Sequence, residues 1–378
     1  MRYRTLGKTG VRLSELGFGA MRLPMKKIGD AEVVDRDLAV PMIRRAFEGG
    51  VNYIDSATFY CNEDSQRAVG DALKGWRDRV YVATKNPYYD EDEGVWRQNL
   101  ENSLERLQID YIDFYHTHAV SAETYFANVE PRISKWLQKA KDEGLIRRIA
   151  ASFHDNNNAL RRILDAGYYE SILLQYNLLD RSLEDGIAHA RDKGVGVIVM
   201  GPVGGGRLGG DDGAEMLAAL PSVKRLPELA LRFVLANPGV TTALSGMSTM
   251  GQVEENLRIA GESPPLSPAD RAAIGELAEK FRRASDLYCS ACDYCKPCPS
   301  GINIPRLFGI YNKDRVYGLH GWAERAYRGI TENQAGENAE KPASACAECG
   351  VCEPKCPQKH PIRERLKEIR ARFERGLP

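Results

Sequence analysis

The chain has 378 residues, with 52 lysines and arginines balanced by 52 aspartates and glutamates, so its formal net charge at pH 7 is zero. A balanced chain lacks the basic surface that nucleic acid or an anionic membrane requires, and no apolar run is long enough to cross a bilayer. We therefore expect neither as a partner. The N-terminal stretch MRYRTLGKTGVRLSEL lacks the apolar core of a signal peptide, which predicts a cytoplasmic protein.

Short apolar runs alternate with helical patterns from residue 15 to about residue 260. The runs typical of buried strands are 16–21, 51–55, 80–85, 111–116, 147–152, 171–176, 196–201 and 240–245. A helical pattern follows each run, at 37–48, 65–74, 94–107, 130–142, 156–165, 182–192, 226–236 and 251–260. Eight such βα units in roughly 250 residues favour a closed (β/α)8 barrel, also called a TIM barrel. The alternative, an open doubly wound sheet, usually has a GxGxxG turn after its first strand, whereas GFGAMR here has only two glycines.

The composition changes after the eighth unit. The stretch GESPPLSPAD at 261–270 is rich in proline and serine, and its Ser-Pro pair can begin a helix that leads into a cysteine-rich region. The sequence therefore predicts a barrel at 1–260, a linker and helix at 261–284, and a further domain at 285–378. A glycine-rich stretch at 204–213 follows the seventh strand, on the face of a barrel where chemistry collects.

Four reactive side chains fall where predicted strands end. Asp55 ends the second strand, Tyr60 lies in the loop after it, Lys85 ends the third strand and His118 follows the fourth. A free phenol has a pKa of about 10, and a neighbouring ammonium lowers it. A carboxylate can hold that ammonium, and an imidazole can hydrogen-bond a carbonyl oxygen. Together the four predict a general acid for carbonyl reduction, although each alone also fits a structural role.

These positions lie within stretches that resemble the aldo-keto reductase family over about residues 3–260. The stretches are NYIDSATFYCNEDSQRAVGDAL, VATK, DYIDFYHTHAV, GLIRRIAASFH, ILLQYN, GVGVIVMGPVGGGRL and ALSGMSTMGQVEENL. The resemblance implies a catalytic tetrad at Asp55, Tyr60, Lys85 and His118. His116 competes for the last role, and the family's Asp-x-Tyr-x-x-His pattern selects His118.

The resemblance also implies a nicotinamide cofactor bound without a Rossmann fold. In that family's pattern Ser152 and Gln175 would hold the carboxamide and 201–206 would line the pyrophosphate, although the glycine run alone could be a plain loop. The implied contacts are Gly19, Ser152, Gln175, Gly201, Pro202, Val203, Gly204, Ser245, Gly246, Gln252, Glu255 and Asn256. NADP or NAD remains open, because 246–252 carries no lysine or arginine for a 2′-phosphate. Cys61 stands where the family often has glycine after the tyrosine.

Eight of the nine cysteines lie in two runs near the end of the chain. The first run is Cys289, Cys292, Cys295 and Cys298, and the second is Cys346, Cys349, Cys352 and Cys356. Each run ends in Cys-Pro, and the second has the C-x2-C-x2-C-x3-C-P spacing of bacterial ferredoxins. This predicts two [4Fe-4S] clusters, whereas structural zinc usually takes separated Cys-x-x-Cys pairs.

In two-cluster domains the fourth cysteine of a run often serves the other cluster. We therefore predict that Cys356 joins the first three cysteines of the first run and that Cys298 joins those of the second. The intervening segment reads as helical, which resembles the helical two-cluster ferredoxins that extend a subset of aldo-keto reductases.

The two halves together predict an oxidoreductase that transfers a hydride between nicotinamide and a small carbonyl or alcohol. A hydride carries two electrons and a [4Fe-4S] cluster carries one, and no flavin-binding motif bridges them. The alternative hypothesis is an electron-transfer or redox-sensing protein whose clusters exchange electrons with a partner ferredoxin or flavoprotein.

Overall fold

The computed structural model describes most of the chain. The described residues are 1–87, 92–206, 208–209, 217–218, 220, 223–262, 266–284, 295–315, 317–332, 340–356 and 360–374. The chain divides into two compact units, Met1–Gly206 with Ala230–Leu266, and Arg207–Leu229 with Ser267–Pro378. No helix in these ranges is long and apolar enough to cross a membrane. The predicted boundaries at residues 260 and 284 stay predictions.

The first unit is built on a closed parallel barrel, as predicted. The strands in the described residues are β1 (Tyr3–Thr5), β2 (Arg12–Ser14), β3 (Leu16–Gly19), β4 (Met25–Ile28), β5 (Ala31–Val34), β6 (Tyr53–Asp55), β7 (Tyr81–Asn86), β8 (Ile112–Val120), β9 (Ile146–Phe153), β10 (Ser171–Gln175), β11 (Gly196–Met200) and β12 (Thr242–Ser245). The barrel order is β10-β11-β12-β3-β6-β7-β8-β9, with every pair parallel. All the carboxyl ends of the strands therefore meet at one rim.

Helices follow the barrel strands and bury their apolar faces. They are α1 (Arg36–Glu48), α2 (Ser65–Leu73), α3 (Glu93–Leu107), α4 (Ala122–Thr124), α5 (Ser134–Asp142), α6 (Asn157–Asp165), α7 (Glu184–Lys193), α8 (Leu226–Ala236) and α9 (Met250–Glu262). A π-helix at Tyr125–Ile133 joins α4 to α5, so this helical region begins before the predicted residue 130. The other helix ends agree with the prediction to within a few residues.

A short hairpin closes the amino-terminal end of the barrel. Strands β1 and β2 pair antiparallel, and Leu6 and Leu13 pack with Tyr53, Phe114 and Leu244 from the barrel interior. The closed floor excludes water from beneath the strand ends and leaves the opposite rim as the open face.

A second hairpin, β4–β5, stands in the connection between β3 and α1. The first barrel strand ends at Gly19 rather than at the predicted residue 21, because the chain turns into a 3₁₀ segment at Ala20–Arg22. The hairpin and this turn both lie beside the segment that carries Tyr60.

The second unit is mainly helical in its described part. Its helices are α10 (Pro268–Ala284), α11 (Ile304–Arg315), α12 (His320–Glu332) and α13 (Ile362–Phe373). Leu307, Phe308, Ile330 and Ile369 form part of its apolar core. The helical segment predicted between the two cysteine runs is therefore present.

Candidate active site

Asp55 and Lys85 meet at the ends of two neighbouring strands. Strands β6 and β7 pair in parallel with Asp55 opposite Ala83, so Lys85 lies two residues further toward the rim on the neighbouring strand. Lys85 Nζ donates hydrogen bonds to the Asp55 carboxylate and to the Ser56 carbonyl oxygen, the latter at 2.7 Å. Both side chains are buried, at 1% and 4% exposure. The pair places a fixed positive charge under the rim.

The surroundings keep Lys85 charged. Burial acts to lower the pKa of Lys85, but the charge and hydrogen bond of Asp55, with a contribution from Tyr60, outweigh it and raise the pKa above its usual value. Burial raises the pKa of Asp55, and Lys85 opposes that change. The second carboxylate oxygen, Oδ2, is buried without a hydrogen-bond partner among the described residues. The hydrogen bond that the Asp55 carboxylate accepts from Lys85 therefore uses only one of its two oxygens.

Tyr60 lies above this ion pair. Lys85 Nζ is 4.8 Å from the centre of the Tyr60 ring, and the ring centres of Tyr60 and His118 are 6.4 Å apart at an interplanar angle of 81°. Burial raises the pKa of Tyr60, while Lys85 acts to lower it. The effect predicted for Lys85 is present, but burial exceeds it, so Tyr60 keeps its proton at neutral pH.

The histidines near the rim are neutral. Burial and the Lys85 charge lower the pKa of His118 to about 3. His116 is fully buried beside Lys85 on the neighbouring strand, and its Nε2 lies 3.5 Å from the Tyr53 hydroxyl. His118 is half-buried and next to Tyr60. Of the two candidates, only His118 is therefore placed to reach a molecule at the rim.

His154 is a further histidine at this end of the barrel that the sequence did not indicate as functional. It directly follows β9, and its backbone N–H bonds to the Val120 carbonyl. Burial and the charge of Lys85 lower its pKa, and its charge in turn affects His118. The signal in the sequence was its place two residues beyond the end of the predicted strand 147–152.

The residues expected at the carboxamide lie on adjacent strands. Ser152 is buried in β9, and its hydroxyl accepts a hydrogen bond from the Ala119 N–H at 2.8 Å. Gln175 ends β10 with its amide lying across Gly201. A β-carbon on Gly201 would be 2.7 Å from Gln175 Oε1, and φ there is +62°. Gly201 is therefore required both for the backbone turn and for the position of Gln175.

The glycine-rich loop after β11 opens next to these residues. Pro202 is buried, Val203 is half-buried, and Gly204 donates a hydrogen bond from its N–H to the Gly201 carbonyl at 2.8 Å. Backbone φ is positive at Gly204, Gly205 and Gly206. The Gly206 N–H also bonds inside the loop, to the Val203 carbonyl at 3.2 Å, so the loop is a tight turn closed by its own hydrogen bonds. The predicted residues 210–213 of this loop lie outside the described residues.

The residues expected near the adenosine end gather around the end of β12. Ser245 accepts a hydrogen bond from Asn256 Nδ2 at 2.9 Å, and both side chains are buried. Gln252 accepts a hydrogen bond from the Ser248 N–H at 2.8 Å. A β-carbon on Gly19 would contact the Ser245 carbonyl at 3.4 Å. Glu255 is half-buried on α9 in the same region, and Gly246 directly follows the strand.

Arg22 reaches this region from another element. A β-carbon on Gly246 would lie 3.5 Å from Cδ of Arg22, and one on Gly205 would lie 3.9 Å from Nη2. The arginine side chain therefore extends from the end of β12 toward the glycine-rich loop. Sequence reasoning looked for a cation only within 246–252 and missed this one, which lies more than two hundred positions earlier in the chain.

The described cysteines of the second unit lie against its apolar core. Cys295, Cys298, Cys346, Cys352 and Cys356 all pack on it, whereas Cys349 is exposed. Burial raises the pKa of the Cys352 thiol, and the nearby charges of Glu353, Cys298 and Cys346 add to that effect. Cys298 and Cys346 therefore both lie close to Cys352.

Cys289 and Cys292 lie outside the described residues. Within the described ranges, no three of the histidine, cysteine, aspartate and glutamate side chains converge tightly enough to hold a single metal ion. The described thiols nevertheless provide soft sulfur ligands, and several of them lie together on the apolar core. This donor set suits an iron–sulfur cluster better than a hard, oxygen-preferring cation.

Comparisons with known proteins agree with a reductase barrel followed by an iron–sulfur domain. Residues 15–279 match the model of the aldo/keto reductase family, and residues 288–362 match that of the 4Fe-4S dicluster domain. L-galactose dehydrogenase of Arabidopsis thaliana is 32% identical over 72% of this chain and 92% of its own length. NADH-specific methylglyoxal reductase of Escherichia coli is 30% identical over 74% of this chain and 98% of its own length.

A solved structure extends the likeness to the fold. The aldo-keto reductase AKR11C1 from Bacillus halodurans, in its holo form, superposes with a TM-score of 0.63 at 30% identity, covering 73% of this chain and 96% of that protein. The barrel, its closed floor and the match over 15–279 lead to one conclusion. The chain is an oxidoreductase that belongs to the aldo/keto reductase family and carries a 4Fe-4S dicluster domain after its barrel.

Proposed function

We propose that the chain reduces a small carbonyl compound to an alcohol, or runs the reverse oxidation, with a nicotinamide cofactor. The observation that carries the proposal is the Lys85 ammonium, buried between the Asp55 carboxylate and the Tyr60 ring and facing His118 across the rim. A protonated phenol beside a fixed cation is a proton donor whose conjugate base is stabilised in place.

Each residue of the group has a defined part in the proposed reaction. The nicotinamide, when bound, supplies the hydride that the carbonyl carbon accepts. Tyr60 donates its phenolic proton to the carbonyl oxygen, so the C=O bond becomes a C–OH bond and two electrons and two hydrogens are gained. Lys85 stabilises the resulting phenolate, Asp55 holds Lys85, and Tyr60 regains a proton from solvent. His118, neutral above about pH 3, donates a hydrogen bond that orients the carbonyl oxygen.

The residues around the rim suit an extended, anionic cofactor. Ser152 and Gln175 offer polar groups for the carboxamide, the loop at 201–204 would line the pyrophosphate, and Arg22 adds a positive charge between that loop and Gly246. The absence of lysine and arginine from 246–252 favours NAD over NADP. The similarity to the NADH-specific methylglyoxal reductase of Escherichia coli supports the same preference.

Two of the relatives suggest a substrate class. L-galactose and methylglyoxal both carry an oxygen on the carbon next to the carbonyl carbon. His118 and His154 lie near each other at the rim and are both neutral donors or acceptors at physiological pH. We infer that the substrate is a 2-hydroxy or 2-oxo carbonyl compound, with one imidazole available for each oxygen.

We propose two [4Fe-4S] clusters in the second unit, with ligands exchanged between the two runs. Cys289, Cys292, Cys295 and Cys356 would hold one cluster, and Cys346, Cys349, Cys352 and Cys298 the other. The nearness of Cys298 to Cys352 of the second run supports this exchange. When bound, such clusters supply one-electron redox chemistry.

A second candidate function is electron exchange with a partner ferredoxin or flavoprotein. It is favoured by the exposure of Cys349 and of the neighbouring Val351, a residue that is 44% exposed. A cluster with an exposed ligand lies near the surface and can pass electrons to a docked carrier.

The deciding experiment is an anaerobic assay of NADH and NADPH oxidation with paired substrates, such as methylglyoxal and propanal, together with iron analysis. We expect turnover with NADH, a preference for methylglyoxal, and about eight irons per chain. Absence of turnover with every carbonyl and alcohol tested, combined with dithionite-reducible iron, would favour the electron-transfer function instead.

A further inference from the structure

The turn directly after Tyr60 has an unusual backbone. Cys61, Asn62 and Glu63 have φ values of +53°, +54° and +65°, so three consecutive residues other than glycine are left-handed. The β-carbon of an L-residue crowds its own backbone in this conformation. A run of three such residues persists only where its surroundings hold it. Because Tyr60 directly precedes the turn, a change in the backbone conformation of the turn shifts Tyr60.

The next residue, Asp64, is firmly anchored. Its carboxylate accepts hydrogen bonds from Nη1 and Nη2 of Arg36 at 2.6 and 2.7 Å. The same carboxylate accepts the Val34 N–H at 2.9 Å. The Asp64 side chain is 14% exposed. Burial acts to raise the pKa of Asp64, but Arg36 and the Val34 N–H together hold it below its usual value. The start of α2 is thus fixed to the end of the β4–β5 hairpin and the start of α1.

Further contacts close the turn on both sides. The Ser65 N–H bonds to the carbonyl of Tyr60 itself at 3.2 Å, so the turn is a closed loop between Tyr60 and α2. Asn62 Nδ2 donates to the Glu32 carbonyl at 3.0 Å, and the Cys61 thiol reaches the Met21 carbonyl at 3.5 Å. Glu63 Oε2 also accepts a hydrogen bond from Arg106 Nη2 at 3.0 Å, but the Glu63 side chain is 52% exposed. The Arg36–Asp64 pair therefore has the more buried carboxylate of the two ion pairs at the turn.

We propose that Asp64, held by Arg36, is a positioning residue that keeps the 61–63 turn left-handed and thereby holds the Tyr60 ring against Lys85. The proposal rests on the function proposed above for Tyr60. It assigns the β4–β5 hairpin and the start of α1 a part in the reaction, because they carry the two groups that bind Asp64. Asp64 and Arg36 act only through Tyr60 and contact no reacting atom.

The central test is Asp64→Asn, which keeps the size of the side chain and an acceptor for the Val34 N–H but removes the charge facing Arg36. The turn can then relax, and the Tyr60 ring moves away from Lys85. We expect kcat to fall roughly 10- to 100-fold, as for other small misplacements of a reacting group, with the Kd for NADH unchanged. The alkaline limb of the pH profile should move to higher pH, because Tyr60 loses the influence of Lys85.

Asp71→Asn is the matched control. The Asp71 carboxylate also accepts from Arg36, at 3.3 Å from Nε, but Asp71 makes no contact with the 61–63 turn among the described residues. We expect Asp71→Asn to keep the kcat and the pH profile of the wild type. An equal loss in both variants would overturn the proposal, since it would then reflect a general disturbance of α1 and α2.

A rescue experiment tests the strain directly. Glycine adopts the left-handed region without cost, so Cys61→Gly and Glu63→Gly should keep the turn without the ion pair. We expect the double glycine variant to recover most of the lost kcat in the Asp64→Asn background. If Asp64→Asn does not fold, Arg36→Lys replaces it, because lysine keeps the charge but loses the two-pronged contact. No recovery on glycine substitution would overturn the proposal.

A measurement independent of turnover separates this proposal from the proposed function. The ¹³Cζ resonance of Tyr60, assigned among the 17 tyrosines by its loss in Tyr60→Phe, reports the titration of the phenol in the protein without substrate. We expect its pKa to rise in Asp64→Asn and to stay unchanged in Asp71→Asn. An unchanged titration in Asp64→Asn overturns the positioning role, whereas absence of carbonyl turnover in the wild type overturns only the proposed function.

Discussion

Lys85 and Asp55 form an ion pair that is almost completely removed from solvent, at the carboxyl ends of two adjacent barrel strands. The ammonium has a second acceptor in the Ser56 carbonyl, whereas Oδ2 of the carboxylate has no partner in the described part of the chain. Two buried charges of this kind cost desolvation energy that hydrophobic side chains would not. The pair is therefore explained better by what it does for Tyr60 than by stability.

The first prediction concerns the stability of this pair. Asp55→Asn leaves the Lys85 ammonium buried without a counter-charge, so we expect the free energy of unfolding to fall by about 3–5 kcal/mol. Removing both charges in Asp55→Asn/Lys85→Met should recover most of that loss. Urea denaturation of the three proteins measures both values. A double variant no more stable than the single one would contradict the assignment of the loss to the unpaired charge.

The second prediction concerns Tyr60 as the proton donor. Tyr60→Phe removes the hydroxyl and keeps the ring, so we expect carbonyl reduction to fall by roughly 10²- to 10⁴-fold with the Kd for NADH unchanged. Tyr53→Phe is the control, because Tyr53 is a buried phenol in the same strand region whose hydroxyl faces His116 rather than the rim. Similar losses in both variants would contradict the role of Tyr60.

The third prediction is the pH dependence of the reaction. Reduction requires protonated Tyr60 and neutral His118. Burial raises the pKa of Tyr60 above its usual value near 10, and the pKa of His118 is lowered to about 3. We therefore expect kcat/KM for reduction to be flat from pH 5 to pH 9 and to fall only in stronger alkali. The reverse oxidation needs the phenolate, so its rate should rise with pH.

Lys85→Met provides the matched test of that assignment. Without the ammonium, the influence that lowers the pKa of Tyr60 is lost, and the alkaline limb for reduction should move to higher pH. A limb that stays in place in Lys85→Met, or a wild-type limb between pH 6 and pH 8, would show that another group titrates.

The barrel could be predicted from the sequence because its strands are buried on both faces. Such strands appear as uninterrupted apolar runs, and their ends identify the rim. Asp55, Tyr60 and Lys85 follow from the strand ends and the loops after them, while the choice of His118 over His116 needed the family resemblance. The hairpin β1–β2 was missed because its strands have three residues each and show no usable alternation.

Other features depend on packing that a sequence does not display. The pKa of Tyr60 rises because burial exceeds the effect of Lys85, and the degree of burial is a property of the assembled rim. Arg22 approaches Gly205 and Gly246 only because the barrel closes β12 against β3. In the left-handed turn after Tyr60 only Asn62 is of a residue type enriched at positive φ, whereas cysteine and glutamate rarely adopt it.

The fourth prediction concerns Arg22. If its guanidinium binds the cofactor's pyrophosphate, Arg22→Ala removes a charge-assisted contact and should raise the Kd for NADH and for NADPH by about the same factor, roughly 10- to 100-fold. Arg45→Ala is the control, because Arg45 pairs with Glu254 on the outer surface of α1 and α9. A loss confined to NADPH would instead assign Arg22 to the 2′-phosphate.

The last prediction tests the exchange of cysteine ligands. If Cys298 and Cys352 serve the same cluster, Cys298→Ser and Cys352→Ser should each lower the iron content from about eight to about four per chain. The remaining cluster should give the same electron paramagnetic resonance spectrum after dithionite reduction in both variants. Cys295→Ser should leave the other cluster and therefore a different spectrum, and Cys61→Ser should keep all the iron. Matching spectra from Cys295→Ser and Cys298→Ser would mean that these two cysteines serve the same cluster, so that each run holds its own. The proximity of Cys298 to Cys352 would then reflect packing alone.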